Sequence, residues 1–205
     1  AAMEARRVAV AEWMKQNEIE EHFGRPVARC ETDHCELVID LKGSFKVGRT
    51  KIDAHELMHL VADDTSHVCQ RVVEHHGVEE DDIFAKMRMW IWNDPADHAN
   101  VMAKFLGSSS TGDFKMLGKD PVFSVWTEKD FASVPGVRRL FTHNASHMLL
   151  SNLYRMLWTG DLGGGWLDAG AGHWYEYKIH ETSLNYCIEG SVHLDFEFIL
   201  PDRPS

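Results

Sequence analysis

At 205 residues, 44% hydrophobic and 26% charged, the chain is long enough to bury the core of one domain with at most an N-terminal extension. Its 21 basic and 32 acidic residues give a net charge of −11, which argues against a nucleic-acid partner, because phosphate backbones need concentrated Lys and Arg. No run approaches the roughly 18 apolar residues of a membrane span, and Glu4, Glu12, Glu18, Glu20 and Glu21 interrupt any signal-peptide core, so export to the periplasm would require a targeting segment outside this sequence.

In chain order, Val8, Val10, Trp13, Met14 and Ile19 mark a helical arm over 3–23 that ends at Gly24-Arg25-Pro26. Residues 35–41 read as a strand stopped by Lys42-Gly43. A long helix follows over about 50–76, with Gly77 where a C-terminal cap belongs. Met87, Met89 and Ile91, with Trp90 and Trp92, mark a second strand, and Asp94-Pro95 opens a short helix. Residues 107–120 read as a loop and 122–126 as a third strand. Helices over about 137–158 and 166–177 are joined by the glycine-rich segment 160–165. The order is β-α-β-α-β-α-α, an α+β (mixed) fold with a small sheet and packed helices. It divides into an N-terminal arm (1–28), a main domain (29–178) and a C-terminal tail (179–205). Cys30, Cys35, Cys69 and Cys187 fit neither a CxxC zinc knuckle nor a haem-attachment motif, and permit two disulfides or four thiols.

Two segments could carry metal chemistry. His55-Glu56-Leu57-Met58-His59 is a literal HExxH, the pattern in which two histidines one helical turn apart bind zinc and a glutamate polarises the attacking water. At about 100° per residue, however, Ala54, Leu57, Val61, Val68 and Val72 form the apolar face. Glu56 and His59 point away from it with Asp63, Ser66, Gln70 and Glu74. The set His55, Glu56 and His59 is therefore the alternative metal site, expected at the surface.

In the second segment, His143 and His147 share a face with Ser146, Leu150, Leu153, Tyr154 and Leu157, and so point inward. After the glycine-rich segment comes Trp166-Leu167-Asp168-Ala169-Gly170. Together these resemble gluzincin-like zinc peptidases, whose first helix carries HExxH and whose second typically reads W-L-x-E-G. The order of elements from about 31 to 177 is similar to that of a bacterial, uncharacterised group of such domains. The resemblance puts His143 and His147 in the two histidine-ligand positions, Asn144 in place of the general-base glutamate and Ala169 in place of the third ligand.

These substitutions remove what the chemistry needs. An amide cannot take a proton from water at neutral pH, and two imidazoles alone hold zinc poorly. His173 lies one turn beyond Ala169, about 40° round the helix, where its ring could reach the vacancy. Tyr154, Trp166, Trp174 and Tyr175 read as packing residues. The favoured expectation is a pseudoenzyme, a non-catalytic domain that binds or scaffolds a protein or peptide, with an empty site and no cofactor. The alternatives are a zinc hydrolase or a metal-binding module built on His143, His147 and His173.

Overall fold

The computed structural model describes residues 18–82, 85–110, 112–117, 120–127, 133–154 and 165–183. The elements are α1 (Glu18–Phe23), β1 (Ala28–Glu31), β2 (Cys35–Asp40), β3 (Phe45–Val47), β4 (Thr50–Ile52), α2 (Ala54–His76), β5 (Met87–Trp92), α3 (Pro95–Leu106), β6 (Phe114–Met116), β7 (Val122–Trp126), α4 (Val134–Tyr154) and α5 (Gly165–His180). Five strands form one mixed sheet in the order β1-β2-β5-β7-β6, and β3 pairs with β4 in a separate hairpin. The inner strands β2, β5 and β7 run parallel, while β1 and β6 are antiparallel edges. The fold is α+β, with a small sheet and packed helices.

Strand alternation divides the interior in two. Leu37, Ile39, Met87, Met89, Ile91, Phe123 and Val125 face a layer containing α2, α4 and α5. Val38, Trp90, Trp92 and Val122 face the other way, packing with Ile19 of α1 and Val101 of α3. On that second face Trp92 Nε1 donates to Ser124 Oγ at 3.0 Å. His98 is buried, with Nδ1 3.0 Å from Ser124 Oγ and Nε2 2.9 Å from the Gly112 carbonyl. Burial lowers its pKa, so it is a neutral core histidine.

Several boundaries differ from the sequence expectation. The helix expected from about 50 starts at Ala54, because residues 50–52 pair with 45–47 across Gly48, whose φ of 58° suits a two-residue hairpin turn. The N-cap is Asp53, whose side chain accepts from the Glu56 N–H while Glu56 accepts from the Asp53 N–H. The opposite end stops at Gly77 with φ 60°, as expected. The short edge strands β1 and β6 were not expected. α4 starts at Val134 rather than 137: Ser133 Oγ accepts from the Gly136 N–H at 3.2 Å, and Pro135 suits the first turn. α5 runs through the expected boundary at 178/179 to His180. Most of the expected arm (residues 1–17) and tail (184–205) lies outside the described residues, as does Cys187. Cys30, Cys35 and Cys69 are unbridged. Burial pushes the Cys30 and Cys69 thiols up to about 11 and about 12. Among the described residues no helix is long and apolar enough to cross a membrane.

Packing holds the helical layer together with an ion pair whose carboxylate is buried and whose guanidinium is half-buried. Arg138 of α4 donates to both oxygens of Asp64 on α2, at 2.6 and 2.7 Å, and Asp64 is 1% exposed. Removing the cation strands a buried carboxylate. Arg138→Ala should therefore cost about 3 kcal/mol, read as a lower urea-unfolding midpoint. A change within about 0.5 kcal/mol, typical of a surface site, would show that the pair does not tie α2 to α4.

Candidate metal centre

The literal HExxH lies at the surface. His55, Glu56 and His59 are all exposed, and the Glu56 carboxylate accepts from the Asp53 N–H at 3.0 Å. That glutamate completes a helix cap and is not aimed at a metal between the histidines. The two rings do approach each other, with Nε2 atoms 3.1 Å apart. His59→Ala should change stability by no more than about 0.5 kcal/mol in a denaturant melt; a larger loss would mean the pair has a structural role.

The second pair is buried. His143 and His147 are 1% and 4% exposed, with Nε2 atoms 2.9 Å apart and ring centroids 4.6 Å apart. Their helix packs against α5, which brings two further donors. Glu176 is fully buried, and its Oε2 lies 3.2 Å from His143 Nδ1 and 2.9 Å from His173 Nδ1. One donor atom from each of His143, His173 and Glu176 falls within 4.8 Å of the others. The structure sets His143 beside both His147 and His173, and brings in Glu176, which was not among the expected site residues. Glu176 lies seven residues beyond Ala169, two turns on and about 20° from the same face. The signal was available in His173-x-x-Glu176, an i, i+3 pair that shares a helix face.

Gly172 allows the close approach. A Cβ there would lie 2.7 Å from His143 Cε1, 2.8 Å from His143 Nδ1 and 2.8 Å from His147 Nε2. Both rings press on the backbone of α5 where any side chain would collide. Asn144, in the general-base position, is 3% exposed, and its Nδ2 donates to the Leu140 carbonyl of its own helix at 2.9 Å. Two residues earlier, Thr142 Oγ1 lies 2.8 Å from His180 Nε2, and that nitrogen is 4.0 Å from Asp64. This contact links the end of α5 to the α2–α4 ion pair. Burial lowers the His180 pKa. Of the expected packing aromatics, Tyr175 is 3% exposed and buried, while Trp174 is 36% exposed beside His75. The side chains of Tyr154, Trp166, Leu167, Asp168 and Ala169 lie outside the described residues.

Burial pulls His143 from 6.5 down to about 4, outweighing the Glu176 hydrogen bond that acts to raise it. At neutral pH it is an uncharged imidazole, the form that binds metal. No family model, curated protein or solved structure matches the chain.

Two outcomes follow. Between pH 6.5 and about 4 the unfolded chain takes up a proton at residue 143 that the folded chain refuses. The stability of the metal-free protein should therefore be complete above pH 6.5 and fall as pH drops toward 4. His143→Gln should flatten that decline in urea midpoints, and an unchanged slope would contradict the assignment. Gly172→Ala should destabilise the protein, although alanine gains about 1 kcal/mol over glycine in a helix interior; a net stabilisation would show that the rings move aside freely.

Proposed function

We propose that this chain is a gluzincin-like domain without peptidase activity that holds one transition-metal ion between α4 and α5 and serves a binding or scaffolding role. The observation that carries the reading is the cluster of His143, His173 and Glu176 on facing helices, with buried His147 beside it: Glu176 Oε2 lies 3.2 Å from His143 Nδ1 and 2.9 Å from His173 Nδ1. Bonds of about 2.0–2.1 Å in a tetrahedral site put neighbouring donors roughly 3.3 Å apart, so small movements of the rings would admit an ion. Neutral imidazoles suit zinc, and also copper, iron or nickel. Bound there, a divalent ion would offset the buried Glu176 carboxylate and join the two helices.

Peptide hydrolysis needs more than the ion. Activating a metal-bound water calls for a proton acceptor beside it. Residue 144 supplies an amide hydrogen-bonded to its own helix, so the zinc-loaded protein should not cleave a general peptide substrate. Zinc-dependent cleavage that disappears in His143→Ala would overturn that part. The binding part is tested by titrating zinc into chelator-treated protein by calorimetry. One equivalent should bind and raise the melting temperature, and His143→Ala should lose both effects. Absence of binding, or binding unaffected by His143→Ala, would contradict the metal site.

A further inference from the structure

Residues 42–51 carry Lys42, Lys46, Arg49 and Lys51, and no acid stands between Asp40 and Asp53. In a chain of net charge −11 this is a local reversal of sign. All four side chains are exposed, and among the described residues none of them forms an ion pair.

The β3–β4 hairpin gathers these cations. Phe45 is part of the core and Ile52 packs against it, so strand alternation turns Lys46 and Lys51 to the outer face. The register makes the two lysines direct cross-strand partners, with Arg49 in the turn beyond them. Like charges placed opposite each other destabilise a strand pair. An anion laid across the outer face would offset that repulsion.

The complementary surface lies at the far end of α2. Glu79, Glu80, Asp81 and Asp82 are consecutive and exposed. The Glu79 N–H donates to Asp82 Oδ2 at 2.9 Å, which folds them into one 3-10 turn. The hairpin ends at Ile52, beside the Asp53 cap that opens α2, and the acidic turn follows Gly77, which closes it. The 23 residues of α2 put about 35 Å of helix between the two. The Debye length at physiological salt is only about 8 Å, so neither cluster neutralises the other within one molecule. The helix dipole has the same sense, positive at the hairpin end and negative at the acidic end.

We propose that the basic hairpin is a docking surface for a second copy of this chain, which lays its acidic turn, residues 79–82, against Lys46, Arg49 and Lys51. Four cations on one copy meet four carboxylates on the next. The contact pairs two different surfaces, so it joins copies head to tail rather than about a two-fold axis. Exposed ion pairs are individually weak and are screened by salt, so the association is reversible and grows with concentration. It is independent of the metal-site reading above.

Analytical ultracentrifugation of the full chain tests this at two salt concentrations. At about 0.1 M the Debye length is about 10 Å, so neighbouring charges still attract, and at about 1 M it is about 3 Å. The weight-average mass should rise with concentration above the monomer's 23.4 kDa at the lower salt, and return to it at the higher. Lys46→Glu with Lys51→Glu should be monomeric. Glu79→Lys with Asp81→Lys, which leaves the Asp82 hydrogen bond in place, should be monomeric too, and circular dichroism should match the wild type for both. An equimolar mixture of the two variants should associate again, because each reversed surface meets its complement and the unreversed pair is kept. A wild type that stays monomeric at the lower salt, or association that survives in either variant, would overturn the proposal. A monomeric wild type that binds phosphatidylserine vesicles through Lys46 and Lys51 would also overturn it, and would assign the hairpin to an anionic lipid surface.

Discussion

The site depends on a close approach of two helices that only glycine permits. Imidazoles at i and i+4 of α4 project toward α5, and at residue 172 a single Cβ would lie under 3 Å from both rings. Since Gly172 has none, α5 packs directly on the rings. His173 follows directly and Glu176 arrives one turn further along, where one carboxylate oxygen spans two histidines. The Arg138–Asp64 pair and the adjoining Thr142–His180 contact hold α2, α4 and α5 together beside it. A polar cluster this deep is favourable only when its members satisfy one another, because each buried polar group left alone costs on the order of 1–3 kcal/mol.

The parts of the fold set by long hydrophobic periodicity were legible in the sequence. α2 shows its apolar face in Leu57, Val61, Val68 and Val72, and its end in Gly77. β2, β5 and β7 show the dense β-branched, methionine and aromatic runs of strands buried on both faces. The four-residue β1 and the three-residue β3, β4 and β6 were not legible. Three or four residues hold too few alternations to form a pattern, and what fixes them is pairing with the adjacent strand in the chain, for β3 and β4 across a turn at Gly48.

The site was legible in part for related reasons. An inward His143/His147 pair follows from helical geometry, and so does the outward setting of His55, Glu56 and His59. That outward glutamate has a local role, since Asp53 and Glu56 cap each other. That His173 and Glu176 share a helix face is a local pattern, but whether they reach the histidines depends on how far α5 slides along α4, which no local pattern records. A register taken from the family motif points to Ala169, whereas the packing brings residues one to two turns later to the histidines. Gly172 carried no legible signal, because its importance lies in what it packs against.

The central claim, that the α4–α5 cluster is a metal site, is tested most directly by anomalous diffraction at the zinc edge from crystals of zinc-loaded protein. The account predicts one strong peak between the Nε2 atoms of His143 and His147, within about 2.0–2.1 Å of each. Well-ordered density for these rings with no anomalous peak beside them, or a peak confined to the surface pair His55 and His59, would contradict it.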